Sequence, residues 1–194
     1  MPAGDDEMWD EDAALLRAYA QGDHGAFAQL FDRHYGRVYR LVCRYTGSST
    51  DAEDLTQTVF LKVMRGAESF VPRARFTTWL YRVTANECLS HLRRGRRSLE
   101  VNVGEDAPEA VDSRQADPAD GLLRAEVAAE VRRAVLSLPE RQRLAVVLSR
   151  YEGQSYAEIA EVLGVSTQAV KSLLNRAHVA LREKLRRYGG KGGT

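Results

Sequence analysis

The chain has 194 residues, of which 44% are hydrophobic and 28% charged, and its formal net charge is +1. That composition is globular, and no apolar run approaches the roughly 20 residues that direct insertion into a membrane would need. The length suits two small domains, each with its own core. The cysteines Cys43 and Cys88 stand far apart, which argues against a disulfide scaffold or a zinc site and leaves two reduced, structural thiols.

The N-terminus, MPAGDDEMWDED, is acidic and has neither the basic start nor the apolar stretch of a signal peptide, so a cytoplasmic location is expected. Apolar residues at helical spacing then dominate, and no strand alternation is sustained, so the fold class is all-α. A first helix is expected over Glu11 to Ala20, ending at Gln21-Gly22-Asp23. A second runs from about Gly25 to Tyr45, with Phe27, Leu30, Phe31, Val38, Leu41 and Val42 as its buried stripe. Gly47-Ser48-Ser49 breaks it, and Thr50-Asp51-Ala52-Glu53 has the form of a capping box, predicting a third helix from there to about Gly66. Pro72 interrupts the next stretch, and a fourth helix follows from about Phe76 to Arg94.

Residues 98–121 carry acids, alanines, Pro108 and Pro118 but few apolar anchors, and read as a flexible acidic linker. It separates a first domain, residues 11–97, from a second, residues 122–188. The second domain reads as four helices: Leu122 to Ser137, Pro139 to Tyr151, Ser155 to Leu163 and Thr167 to Arg187. The tail GGKGGT is expected to be disordered.

The near-zero net charge conceals a segregation along the chain. From Phe70 to Arg97 there are seven basic residues against the single acid Glu87, and from Val165 to Arg187 six against Glu183; Ser98 to Asp120 has seven acids against Arg114. Two cationic surfaces therefore flank an acidic segment. Such runs are commonly plain solvated faces, but here each one ends a helical domain.

The strongest local signal is SYAEIAEVLGVSTQAVKSLL, from Ser155. Ser155 and Glu158 form a capping box, Tyr156, Ile159, Ala160 and Leu163 fall on one face, and Gly164 can take the left-handed conformation that ends a helix. Ser166 caps the next helix, whose Val170, Leu173, Leu174, Ala177 and Leu181 face the core. The opposite side presents Thr167, Gln168, Lys171, Ser172, Asn175 and Arg176, groups able to read base edges and hold phosphates. This is a helix-turn-helix, and it indicates DNA binding better than any particular role in transcription.

DAEDLTQTVFLKVM from Asp51, FTTWLYRVTANECLSHLRR from Phe76, the acidic linker, and LPERQRLAVVLSRYEGQSYAEIAEVLGVSTQAVKSLLNRAHVALREKL from Leu138 together resemble extracytoplasmic-function (ECF) sigma factors over nearly the whole chain. The resemblance implies that the first domain (region 2) binds the β′ clamp helices of core RNA polymerase and opens the −10 element. It implies that the second (region 4) binds the −35 element and the β flap. Neither a region 3 nor an N-terminal inhibitory region fits this length. Asp54, Leu55, Gln57 and Thr58 are implied to be polymerase-binding, although Thr58 stands where the family often has an acid. Physically, Ala52, Leu55, Val59 and Val63 can form a buried stripe while Asp54, Gln57, Thr58 and Leu61 point elsewhere.

For the −10 element, the resemblance points to the segment from Phe70 to Arg75 and the helix after it. Unpaired bases need stacking surfaces and hydrogen-bond partners, and their phosphates need cations. Arg73, Arg75, Phe76, Trp79, Arg82, Asn86 and Arg93 supply these, although Trp79, at helical spacing from Arg82 and Val83, is more often a core residue than a base platform. Leu80 stands where housekeeping sigma factors carry a second tryptophan, which implies a weaker wedge and a stricter demand on the promoter. The implied partners are core RNA polymerase, promoter DNA and an anti-sigma factor.

A free-standing helix-turn-helix regulator would account for the second domain alone. An enzyme has little support: His24, His34, His91 and His178 do not cluster with Cys or carboxylates at ligand spacing, no phosphate-binding glycine loop is present, and no cofactor is expected.

Overall fold

The computed structural model describes residues 10–71, 75–98 and 118–186, which form helices α1 (Glu11–Ala20), α2 (His24–Thr46), α3 (Ser49–Gly66), α4 (Phe76–Ser98), α5 (Pro118–Leu136), α6 (Glu140–Arg150), α7 (Tyr156–Leu163) and α8 (Thr167–Lys184). No strand occurs among them. Most of the segment expected to be a linker, and the glycine-rich tail, lie outside the described residues.

Local chemistry sets most helix ends. Asp10 caps α1 by accepting from Ala13 N–H at 3.2 Å, and its second carboxylate oxygen accepts from Phe76 N–H at 2.5 Å, which ties the start of α1 to the start of α4. Asp23 caps α2, and Gly47 ends it in the left-handed region at φ 78°. Helix α3 departs from expectation: its cap is Ser48, whose hydroxyl accepts from Asp51 N–H at 3.2 Å, and Thr50 already lies inside the helix. The left-handed Gly47 turns the chain so sharply that the extended Ser48 is the residue facing the free amides. Helix α5 begins at Pro118 rather than Leu122. A proline has no N–H to leave unpaired at the first helical position, so the residue that looked like a breaker is an initiator.

Helices α1 to α4 bury Leu16, Leu30, Val38, Leu41, Val42, Tyr45, Val59, Val63 and Phe76, and α5 to α8 bury Val135, Leu144, Leu148, Ile159, Val170, Leu174 and Ala177. Each large aliphatic side chain taken fully out of water contributes roughly 1.5–3 kcal/mol. Of the stripe expected on α2, Phe27 and Phe31 are only half-buried, because their rings sit at the edge of an aromatic cluster with Phe60. The two domains touch: α4 packs on α7, and α2 packs on α5 and α6. Arg143 of α6 donates to the Tyr45 carbonyl of α2 at 3.0 Å and lies over the Tyr45 ring.

Candidate nucleic-acid interface

In the second domain, Ser155 and Glu158 form the expected capping box. The serine hydroxyl accepts from Glu158 N–H at 3.3 Å, and the glutamate carboxylate accepts from Ser155 N–H at 2.7 Å. The Ser155 backbone N–H first, and then the Ser155 side chain, hold the Glu158 carboxyl below its ordinary value. Gly164 takes φ 62°, which turns the chain, and the Ser166 hydroxyl accepts from Ala169 N–H at 3.1 Å to start α8. One expected core residue is misplaced: Tyr156 is 46% exposed, and Val162 is buried beside Ile159 and Ala160 in its stead. Tyr156 is the first residue of α7, at the rim of the packed face.

Helix α8 is anchored by Val170, Leu174 and Ala177, while Leu173 and Leu181 are half-buried. The residues singled out on its other side share one open face. Thr167, Gln168, Lys171, Asn175 and Arg176 are exposed. Ser172 is half-exposed, and its hydroxyl is engaged by the Gln168 carbonyl at 3.0 Å, which leaves its oxygen lone pairs toward solvent.

In the first domain the picture is mixed. Arg75, Arg82, Asn86 and Arg93 are exposed on or beside α4, and Arg73 lies outside the described residues. Phe76, expected among the base-facing aromatics, is fully buried with its ring against His34, Phe70 and Trp79, so it supports the surface from beneath. Trp79 is half-buried: it stacks edgewise on Phe70 at 5.1 Å, and its indole lies 3.0 Å from where a β-carbon on Gly66 would stand. Glycine at 66 is what lets the indole lie on α3. Leu80 is 3% exposed, so it presents no wedge to DNA at all.

On α3, Asp54 and Gln57 are exposed, and the Thr58 hydroxyl, half-exposed, donates to the Asp54 carbonyl at 2.9 Å. Leu55 is 3% exposed and belongs to the core, as its place in the buried stripe implies, and cannot itself touch a partner. The open stripe instead continues through Leu61 and Met64, exposed by 51% and 36%. Nothing in the sequence pattern singled out Met64, although it lies seven positions beyond Gln57, on the same helical face. Behind this stripe, Lys62 donates to the buried carboxylate of Glu87 on α4, fastening α3 to α4 next to Asn86.

No sequence motif marks Glu152, in the turn between α6 and α7. Its carboxylate accepts from Arg37 Nε at 2.9 Å and from the Tyr81 hydroxyl at 2.8 Å, both in the first domain. Burial, and then the bond to Glu152, raise the Tyr81 phenol, so it remains protonated and able to donate.

Residues 30–98 match the family model for Sigma-70 region 2, and residues 128–181 match that for Sigma-70, region 4. The chain is similar to the ECF RNA polymerase sigma factor SigM of Mycobacterium tuberculosis, with 38% identity over 174 residues, covering 90% of this chain and 84% of SigM. Among solved structures it resembles CnrH in complex with the cytosolic domain of CnrY, with a TM-score of 0.66 and 27% identity over 92% of this chain and 99% of that one. The sigma factor RpoE of Bartonella quintana, in complex with the anti-sigma factor NepR, shares the fold, with a TM-score of 0.67 and 23% identity over 82% and 96% of the two chains.

Proposed function

The chain belongs to the ECF family of RNA polymerase sigma factors and acts in promoter-directed transcription initiation, and from that premise we propose how its surfaces divide the work. Residues 11–97 form the unit that binds core polymerase and the −10 element, and residues 122–188 form the unit that binds the −35 element. The open face of α8, with Thr167, Gln168, Lys171, Ser172, Asn175 and Arg176, enters the major groove of the −35 duplex. The observation that carries this is the one-sidedness of α8: three aliphatic anchors are buried beneath it, while the polar and cationic side chains stand together in solvent.

The −10 strand lies along α4. Asn86 hydrogen-bonds an unpaired base edge, Trp79 offers the uncovered part of its indole, and Arg73, Arg75, Arg82 and Arg93 neutralise phosphates. Phe76 and Leu80 serve this surface only by packing behind it. Core polymerase meets the stripe of Asp54, Gln57, Thr58, Leu61 and Met64 through its β′ clamp helices, with Leu55 holding the stripe in place, and the second domain meets the β flap. An anti-sigma factor competes for these faces, in line with RpoE of Bartonella quintana being found with the anti-sigma factor NepR. Sigma factors are initiation factors and not enzymes, and no catalytic residue or cofactor is assigned.

No helix among the described residues is long and apolar enough to cross a membrane. We place the protein in the cytoplasm with the polymerase. A free-standing regulator would leave the whole first domain without a role, and the region 2 match removes that reading. Run-off transcription on genomic promoter fragments, with purified core polymerase and with or without this protein, tests the proposal: discrete transcripts should appear only when the protein is added.

A further inference from the structure

The residues just before α4, Arg73, Ala74 and Arg75, include no side chain that can cap a helix. Arg75 holds the capping position, since its backbone carbonyl accepts from Trp79 N–H at 3.2 Å, but a guanidinium has donors and no acceptor. A helix start leaves amides that need an acceptor, which Ser, Thr, Asp or Asn at that position usually supplies. Here it comes from another helix. Asp10 accepts from Phe76 N–H through Oδ2 at 2.5 Å, across 66 positions of sequence, while its Oδ1 accepts from Ala13 N–H at 3.2 Å. Two helix N-termini therefore converge on one half-buried carboxylate, and its negative charge suits the positive ends of both.

Helix α1 does not depend on the Phe76 bond for its own place. Asp12 accepts from Arg33 at 2.5 Å and pairs with His34 Nε2 at 2.8 Å, Glu11 accepts from Arg33 at 3.1 Å, and Ala13 and Leu16 are buried. Asp10 thus rides on an anchored helix and delivers a fixed acceptor to α4. The turn it reaches carries Phe76, whose buried ring lies 5.3 Å from that of His34, and ends at Trp79, whose ring rests on Phe70 at 5.1 Å. A helix end without its cap frays over its first turn, and in α4 that turn joins Arg75 to the indole.

We propose that Asp10 is a positioning residue for the −10 strand: from α1 it caps α4, and so fixes the turn on which Arg75 and Trp79 meet unpaired DNA. The inference rests on the proposed −10 assignment. Asp10 itself touches no nucleotide. It acts by holding the indole and the guanidinium in one arrangement before the strand arrives, so that less ordering remains to be done on binding.

The test uses holoenzyme and a labelled single strand carrying the −10 element of a promoter that directs run-off transcription. Asp10→Ala should weaken strand binding about tenfold, the share of one stacked base. It should also speed amide exchange in the first turn of α4 and leave the affinity for core polymerase unchanged. Asp10→Asn keeps an acceptor oxygen and should recover part of the lost affinity. Asp23→Ala is the matched control, because Asp23 caps α2 by accepting from Gly25 and Ala26 N–H at 2.9 and 3.2 Å; it should lower the melting temperature comparably and leave strand binding unchanged. Wild-type strand affinity in Asp10→Ala overturns the positioning role, and unchanged exchange at the start of α4 overturns the cap. Asp10→Asn as weak as Asp10→Ala would trace the effect to charge rather than to the bond, and an equal loss in Asp23→Ala would trace it to general stability; either result overturns the proposal. The −10 assignment fails separately if Asn86→Ala, which leaves the Asp10 cap in place, binds the strand like wild type.

Discussion

Gly47 lies against Leu136: a β-carbon at Gly47 would stand 2.6 Å from the Leu136 Cδ1 atom, and the glycine itself is left-handed at φ 78°. Gly47 ends α2 of the first domain, and Leu136 ends α5 of the second, so one position serves both the helix stop and the domain contact. Gly47→Ala should cost about 1–2 kcal/mol from the left-handed backbone, plus a steric share that Leu136, a flexible side chain, can partly relieve. Leu136→Ala should remove that steric share. Urea denaturation of both single variants and the double variant should give a coupling of about 0.5–1.5 kcal/mol; strict additivity would mean that the two residues are not in contact in solution.

The helix-turn-helix is predicted to depend on its caps in proportion to their geometry. Ser155→Ala removes the hydroxyl half of a capping box and should cost about 1 kcal/mol, with Gly164→Ala costing a similar amount from φ 62°. Ser155→Asp, which restores an acceptor, should recover most of the first loss. Thermal melts followed by circular dichroism would measure this, and equal stability of Ser155→Ala and wild type would show that the cap is not used.

Much of this architecture was legible because it is local. Caps at Ser155 and Ser166, the left-handed Gly164 and the buried stripe of α8 each involve residues within one or two helical turns, and periodicity detects such relations. The failures have physical causes. Ser48 outcompeted Thr50 as a cap because of the backbone turn at Gly47, and Pro118 opened a helix that its residue type suggested it would break. Phe76 is the right residue type on the right helix, but type alone did not show that it points into the core; for Leu55 the spacing of the buried stripe already did, against the role implied by the family resemblance. Glu152 was invisible because its partner Arg37 is 115 residues away in sequence, and nothing in the local pattern of YEGQS indicates that its carboxylate is buried.

Core polymerase binding should be impaired selectively by changes to the α3 stripe. Asp54 and Gln57 are exposed and make no contribution to the core, so replacing both with alanine should leave stability within about 0.5 kcal/mol of wild type while weakening pull-down of core polymerase. Leu61→Ser should do the same, since Leu61 is an exposed apolar residue on the same face. Undiminished pull-down by all of these folded variants would place the polymerase-binding surface elsewhere. Leu55→Ala is the contrasting case: it should destabilise the fold by about 2–5 kcal/mol.

The two domains should read different forms of DNA, the face of α8 a duplex and the face of α4 exposed bases. Asn86→Ala and Arg176→Ala, in separate holoenzymes, test this directly on templates whose −10 element is intact or pre-melted. Lys171→Ala serves as a second probe of α8. Removing a base-reading side chain from α8 should cost about 1–3 kcal/mol and relax sequence preference, whereas removing a phosphate-binding one should weaken all sequences alike and flatten the salt slope. Pre-melting the −10 element should leave the Arg176→Ala defect in place, and changing the −35 sequence should leave the Asn86→Ala defect in place. Identical responses of the two variants to pre-melting would contradict the division of the promoter between the domains.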